Sequence, residues 1–195
     1  MQAFKSVKSK VLPLPLKDVD TDMIIPAQFL TSISREGYGQ NLFKRLREAD
    51  PQFPLNQDKY KGAEILVADN NFGCGSSREH AVWALDGAGF KALIAKSFAD
   101  IFAGNSAKNG LLLVVLPEAV VDRILLEARS GSYELNIDLD KQTVTLPDGT
   151  NVSFDYDPFR RHCLLNGLDD IDYILSFKEE IRAFKNQKNQ TATCK

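Results

Sequence analysis

The segment with the richest potential for chemistry is residues 71–80, which read Asn-Phe-Gly-Cys-Gly-Ser-Ser-Arg-Glu-His. The apolar run just ahead of it predicts a buried strand, and the pattern that follows predicts a helix. A turn between a strand and a helix gathers unpaired backbone N–H groups and the positive end of the helix dipole. We therefore expect this turn to be able to bind a carboxylate or a phosphate.

Three residues of the turn strengthen that expectation. Gly73 and Gly75 permit positive φ angles and a close approach of a ligand to the backbone. Arg78 adds a planar guanidinium that suits bidentate contact with a carboxylate. The segment matches neither the esterase elbow, nor the dinucleotide fingerprint, nor the phosphate-binding loop. These mismatches argue against hydrolase, Rossmann and P-loop functions.

Ser76 has a structural explanation that competes with catalysis. Ser76 and Glu79 have the spacing of a capping box, in which the serine accepts from the Glu79 N–H and the glutamate reaches back. Helix caps are more common than reactive residues at helix starts. An alkoxide would also be least costly at a helix N-terminus, so the pattern leaves both roles open.

The remaining metal-ligating or nucleophilic residues are weaker candidates. His80 and His162 are the only histidines, which is too few for a zinc site, so we expect each to pack and hydrogen-bond. Cys74 lies between two glycines and is expected to fill space rather than to react. Asp20 and Asp22 are expected to order a turn in the early part of the chain.

The elements that position the turn follow from apolar periodicity. Short apolar runs at 64–68, 91–95 and 111–116 predict buried strands, and a helical pattern follows each of them. This order favours an α/β fold with a partly parallel sheet covered by helices. Residues 18–58 are irregular, and a region of that length without regular structure is often functional.

The C-terminal part of the chain has a different pattern. Alternating residues at 133–138 and 143–154 flank Pro-Asp-Gly and predict a hairpin. A short helix over 158–165 and a last amphipathic helix, with Ile171 to Ile181 as its apolar stripe, are expected to follow. We expect one domain over residues 1–184 and a polar, flexible tail over residues 185–195.

Composition limits the function classes. The 195 residues include 24 Lys plus Arg and 26 Asp plus Glu, a net charge of −2, which argues against nucleic-acid or membrane binding through bulk charge. No apolar stretch approaches the roughly 20 residues that span a bilayer. The cysteines Cys74, Cys163 and Cys194 are odd in number and lack C-x-x-C spacing, so we expect no disulfide framework and a cytoplasmic location.

Four segments taken together resemble one family: residues 18–26, 71–80, 96–102 and 159–163. The family is the small subunits of 3-isopropylmalate dehydratase, which are related to the C-terminal swivelling domain of aconitase. The resemblance extends to about residue 184. It implies a β/β/α swivelling domain of the aconitase type, with a partly parallel sheet, helices packed on it, and a C-terminal hairpin and helices.

The resemblance also implies a function. Such a chain is a hydro-lyase subunit that isomerises 2-isopropylmalate to 3-isopropylmalate through 2-isopropylmaleate in leucine biosynthesis, and it works only with a large subunit. The large subunit is implied to carry a [4Fe-4S] cluster, and this chain to bind neither cofactor nor metal. The implied substrate is a small dicarboxylate.

The same resemblance assigns roles to individual residues. Ser76 is implied to be the catalytic base, and Ser77 and Arg78 to bind a substrate carboxylate. Gly73, Gly75 and Glu79 support the turn and the helix start. Residues 31–39 resemble the family's substrate-recognition loop, where Arg35 is expected to pair with the other carboxylate and Ile33 or its neighbours to meet the isopropyl group.

Three alternatives stay open at this point. Arg35 has the simpler interpretation of an exposed surface arginine. Small subunits of related hydratases, acting on citraconate, methylmalate or homoaconitate, share the serine-arginine turn. A non-catalytic anion-binding module would also use such a helix start.

Overall fold

Seven strands form one mixed sheet in the computed structural model, which describes residues 1–30, 35–76 and 78–192. The strand order is β4-β3-β2-β1-β5-β6-β7. Strands β1 to β4 pair in parallel and β5 to β7 continue the sheet antiparallel. The strands are β1 (Ser6–Leu14), β2 (Ile65–Ala68), β3 (Ala92–Ala95), β4 (Leu112–Val115), β5 (Glu134–Asp138), β6 (Thr143–Thr145) and β7 (Asn151–Ser153).

Helices cover the parallel half of this sheet. The described α-helices are α1 (Thr21–Ile24), α2 (Lys44–Ala49), α3 (Glu79–Gly87), α4 (Asp100–Asn109), α5 (Glu118–Glu127), α6 (Pro158–Asn166), α7 (Asp170–Ser176) and α8 (Lys178–Ala192). None of them is long and apolar enough to span a membrane. The α/β architecture with a partly parallel sheet and a C-terminal hairpin is therefore confirmed.

The core has two parts, one on each face of the parallel strands. Successive residues of β2, such as Leu66 and Val67, point to opposite faces, and both are fully buried. One face packs against α3, α4 and the early irregular region. The other packs against α5, α6 and the antiparallel strands. Burial on both faces explains the unbroken apolar runs that predicted β2, β3 and β4.

The first strand, β1, lies in the middle of the sheet, although no strand was predicted there. Its first half, Ser6–Lys10, pairs with β5, and its second half, Val11–Leu14, pairs with β2. The lysines of the first half face outward, and Pro13 comes after the pairing with β5 has ended. A proline is tolerated where its missing N–H is not needed by a neighbouring strand. The polar residues and the proline are not typical of a central strand, so the sequence pattern did not predict β1.

The C-terminal helices differ from the prediction. The expected single amphipathic helix is two helices, α7 and α8, with Phe177 at the break between them. Its apolar stripe is exposed instead of buried, with Ile171 at 68% and Ile181 at 50%. Helix α8 continues to Ala192, so residues 185–192 are helical, and the flexibility expected of residues 185–195 stays a prediction. Residues 193–195 lie outside the described ranges.

Candidate active site

The site turn lies at the edge of the sheet where parallel strands β1, β2 and β3 all end. Ligands of open α/β sheets bind outside the carboxyl ends of the strands. Backbone hydrogen bonds hold the turn from both sides: Gly73 N donates to Val19 O at 2.7 Å, and Phe72 N donates to Ser97 O at 3.1 Å. The segment that follows β2 is therefore fixed between the segments that follow β1 and β3.

The two glycines of the turn are needed for different reasons. Gly73 has φ +81°, and a Cβ there would lie 2.2 Å from Cγ of Phe102 on α4. Gly75 has φ +91°, but a Cβ there would make only ordinary contacts of 3.5 Å or more. Gly73 thus provides both space and backbone freedom, and Gly75 provides backbone freedom alone.

Ser76 is exposed to solvent at the end of this turn. The buried hydroxyl of Thr21, the first residue of α1, donates to the Ser76 carbonyl at 3.1 Å and lies 3.4 Å from the Ser76 hydroxyl. Thr21 N also donates to Cys74 O at 3.0 Å. Thr21 therefore fixes the backbone that carries Ser76 and leaves the hydroxyl accessible.

Arg78 is held beside Ser76 by an ion pair. Its Nη1 donates to Asp22 Oδ1 at 2.9 Å, and its backbone N–H donates to Ser76 O at 2.8 Å. Asp22 also accepts from Ala27 N at 3.1 Å and from Arg45 Nη1 at 2.7 Å. The Arg78 hydrogen bond, followed by that from Ala27, holds the pKa of the Asp22 carboxyl below its usual range. Asp22 is therefore a carboxylate that orients the guanidinium.

The predicted capping box is wrong. Helix α3 begins at Glu79, with Arg78 at the N-cap position and without a side-chain cap. Ser76 lies two residues before the N-cap position and belongs to the turn that Thr21 holds. The Glu79 carboxylate instead accepts from Asn109 Nδ2 at 2.8 Å, which ties α3 to α4. The Ser76 side chain therefore does not cap α3, and its described partner is the Thr21 hydroxyl.

Arg35 lies beside the second half of α3, near Trp83, Asp86 and Gly87, and the structure does not bring it to the site turn. Its guanidinium carbon is 5.0 Å from the centroid of the Trp83 ring, and the residue is exposed. Its role as a carboxylate ligand stays a prediction. Ser77 and Ile33, with the rest of residues 31–34, lie outside the described residues.

His80 and Cys74 behave as packing residues. The His80 ring lies 4.7 Å from Trp83 and 5.4 Å from Tyr38, measured between centroids. Burial, and then the charges of two nearby aspartates, raise the pKa of the Cys74 thiol, which disfavours the nucleophilic thiolate. In the ranges that the structure describes, no three His, Cys, Asp or Glu side chains gather as a metal site requires.

Sequence reasoning missed the residues that connect the site to the early region. Asp20 and Asp22 do order a turn, since Asp20 accepts from Met23 N at 2.7 Å. The pattern carried no sign that Asp22 pairs with Arg78, or that Thr21 meets Ser76, 55 positions away. Both contacts depend on β1 and β2 being neighbours, and β1 was not predicted.

Comparisons with known proteins agree with this architecture. The family model of the aconitase C-terminal domain matches residues 1–119, and a second model, described as LeuD_N, matches residues 122–158. The 3-isopropylmalate dehydratase small subunit of Marinobacter nauticus is 52% identical, over 98% of this chain and 96% of the relative. That of Francisella tularensis subsp. novicida is also 52% identical, over 96% and 99%.

A solved structure has the same fold. The crystal structure of a 3-isopropylmalate dehydratase from Methanocaldococcus jannaschii superposes with a TM-score of 0.68 at 29% identity, over 92% of this chain and 99% of that one. The family model covers more than half of the chain, and the relatives match nearly all of it. The chain therefore belongs to the aconitase C-terminal domain family and, within it, to the small subunits of 3-isopropylmalate dehydratase.

Proposed function

We propose that this chain is the small subunit of a two-subunit hydro-lyase that interconverts 2-isopropylmalate and 3-isopropylmalate through 2-isopropylmaleate in leucine biosynthesis. The observation that carries the proposal is the exposed Ser76 hydroxyl beside Arg78, at the edge where three parallel strands end. A base next to a cation is what removal of a proton from a carboxylate-bearing substrate requires.

Ser76 acts as the base in this proposal. Its alkoxide takes the proton from the carbon next to the one that bears the hydroxyl. The electron pair of that C–H bond becomes the double bond of 2-isopropylmaleate, and the hydroxyl leaves as water with a second proton. In the return step, water adds to the other carbon and Ser76 gives its proton back.

Serine needs strong assistance to act as a base, because its hydroxyl is scarcely ionised in water. The Arg78 charge and the positive end of α3 both favour the alkoxide. Exclusion of water by a partner subunit would strengthen both effects. The exposure of Ser76 in this chain fits a site that is completed by another surface.

Arg78 binds one substrate carboxylate in this proposal, and Arg35 the other. Asp22 engages Arg78 through Nη1, and the guanidinium offers four further N–H donors. A bidentate contact with a carboxylate therefore remains geometrically open to it. Ser77 is assigned to the same carboxylate as Arg78.

The large subunit is the proposed partner and the proposed carrier of the [4Fe-4S] cluster. When bound there, the cluster supplies Lewis-acid chemistry for breaking the C–O bond. The described residues of this chain contain no group that would hold it. The proposal places the complex in the reducing cytoplasm, where Cys74 and Cys163 stay free thiols.

The decisive experiment is reconstitution with the large subunit. We expect hydro-lyase activity only in the mixture, and we expect Ser76→Ala to lower kcat by about 10³-fold because a general base is lost. Ser132→Ala, at another exposed serine, is the matched control and should leave kcat unchanged. Complex formation is measured in parallel, so that loss of assembly is separated from loss of chemistry.

Turnover by Ser76→Ala at the normal rate would refute the base assignment. The same mixture distinguishes the related hydratases. We expect the highest kcat/KM for the isopropyl-substituted malates, compared with citraconate, methylmalate and homoaconitate. A preference for one of those three would move the chain to another substrate within the same reaction class.

A further inference from the structure

The hydroxyl of Thr21 is buried where the early part of the chain meets the site turn, and the residue is 2% exposed. Its Oγ1 lies 3.1 Å from the Ser76 carbonyl oxygen and 3.4 Å from Ser76 Oγ. A hydroxyl has one proton to donate and two lone pairs with which to accept. Thr21 can therefore donate to only one of these two oxygens at a time.

The Ser76 carbonyl does not depend on Thr21 alone. The backbone N–H of Arg78 also donates to this carbonyl oxygen, at 2.8 Å. The carbonyl therefore keeps a hydrogen bond when the Thr21 proton turns away from it. The Thr21 backbone stays in place during such a turn, because its own N–H is bonded to Cys74 O at 3.0 Å.

The Ser76 hydroxyl has the freedom to use that proton. The 3.4 Å contact with Thr21 Oγ1 is longer than the 2.7–2.8 Å typical of a hydroxyl hydrogen bond. The Ser76 side chain is exposed, so a rotation about its Cα–Cβ bond is open to it. A charged oxygen draws a donor closer, to about 2.5–2.7 Å, and such a bond is about twice as strong as a neutral one.

We propose that Thr21 is a positioning residue for Ser76, whose hydroxyl proton points to the Ser76 carbonyl while Ser76 is protonated and turns to Ser76 Oγ when the alkoxide forms. No proton passes between the two residues. Thr21 keeps its own proton, and the proton of Ser76 moves only to and from the substrate carbon. The bond is strengthened because the Thr21 hydroxyl is shielded from water. This inference rests on the proposed function, which makes Ser76 the base.

The first test measures kcat and KM of the reconstituted complex. Thr21→Val removes the hydroxyl, keeps the branched shape, and should lower kcat by about 10- to 100-fold, as expected when a donor to a developing oxyanion is lost. KM should change by less than about twofold, because Thr21 contacts Ser76 rather than the substrate. A kcat equal to that of the parent would overturn the inference.

Two further variants serve as controls. Thr21→Ser keeps the hydroxyl and should retain most of the parent kcat. Thr145→Val removes a threonine hydroxyl that also makes a hydrogen bond, to Asn151 Oδ1 at 2.7 Å, between strands β6 and β7. This variant should leave kcat and KM unchanged. An equal loss of kcat in Thr21→Ser and Thr21→Val would overturn the inference, because the methyl group and not the hydroxyl would then matter.

The second test separates this role from a structural one. Thr21→Val combined with Ser76→Ala should have the kcat of Ser76→Ala alone, because no alkoxide is left to stabilise. A loss by the same factor in both backgrounds would mean that Thr21 serves folding only, and would overturn the inference. Complex formation and the urea midpoint are measured for each variant. If Thr21→Val does not fold, Thr21→Ala replaces it, since it places no methyl group against the Ser76 carbonyl.

The outcomes distinguish this inference from the proposed function. Full activity of Ser76→Ala would refute the proposed base, and the role of Thr21 with it. A parent-like kcat for Thr21→Val, together with a strong loss in Ser76→Ala, would overturn the role of Thr21 alone and leave the proposed base intact.

Discussion

The two regions that bring a candidate cation to α3 are held by different forces. We call them the Ser76 turn, which is residues 71–76 with Arg78, and the Tyr38 segment, which is residues 35–41. Directional bonds fix the Ser76 turn, including the ion pair between Arg78 and Asp22. Ring contacts and the close approach of Gly39 to Gly87 fix the Tyr38 segment.

The difference corresponds to what each region is proposed to do. Proton transfer needs a base held within about half an ångström of its productive position. Hydrogen bonds to the two neighbouring segments of the chain provide such placement. Recognition of a second carboxylate tolerates more movement, and contacts with aromatic faces are less directional. In the proposed function the Ser76 turn serves the chemistry, and a role of the Tyr38 segment in substrate selection stays a prediction.

The largest expected effect is a loss of kcat/KM that distinguishes Arg78 from Arg45, the two arginines that bind Asp22. Arg78→Ala should lower kcat/KM by about 10³-fold, since a cation that stabilises developing charge is removed. Arg45→Ala removes the other partner of Asp22, a more exposed one, and should change kcat/KM by less than about threefold. Steady-state kinetics of the reconstituted complex measures both. Equal losses would mean that the Asp22 network acts only in folding.

A pair of glycines tests how the Tyr38 segment is held. Gly39→Ala should destabilise the chain by about 2–4 kcal/mol, because the new Cβ meets Gly87 backbone that cannot move aside. Gly37 has φ +84°, and a Cβ there would meet open space. Gly37→Ala should therefore destabilise the chain by only about 1 kcal/mol, through backbone strain. Urea unfolding of the isolated chain measures both. Similar values for the two would show that the contact with α3 is loose.

The smallest expected effect is the acid sensitivity of the Ser76 turn. Arg78, and then the Ala27 amide, hold the Asp22 pKa below its ordinary value of 3.8, so its contribution to stability is present at neutral pH and is lost as the pH falls through that value. Asp22→Asn lacks this contribution at every pH. Because the side chain is 38% exposed, we expect a difference below about 1 kcal/mol at neutral pH.

Urea unfolding of the parent chain and of Asp22→Asn over a pH series measures this difference in stability. The gap between the parent chain and Asp22→Asn should close as the solution is acidified below about pH 4. A gap that stays constant with pH would show that Asp22 contributes through packing rather than through its charge.

Much of the fold could be predicted from local patterns. The unbroken apolar runs of β2, β3 and β4 indicate strands buried on both faces, and the structure places them so. The Pro-Asp-Gly turn between β6 and β7 was equally readable. β1 could not be recognised, because its two halves serve different neighbours and its lysines face outward.

The candidate site could be predicted only in part. Residue types and spacing singled out Ser76, Arg78 and the glycines of the turn. They also suggested a capping box that does not form. Helix α3 begins at Glu79, so Arg78 and not Ser76 occupies the N-cap position. They gave no indication of Asp22 or Thr21 as site partners, because no pattern within the chain records contacts across more than fifty residues.

The order of residues along the chain determined the strands, the helices and the glycine-rich turn, because periodicity and backbone freedom act over a few positions. Only the tertiary structure decided that β1 lies beside β2, that Asp22 therefore meets Arg78, and that Arg35 lies on Trp83. The physical reason is that these contacts depend on which strands pair, and pairing is settled by burial of the parallel strands on both faces.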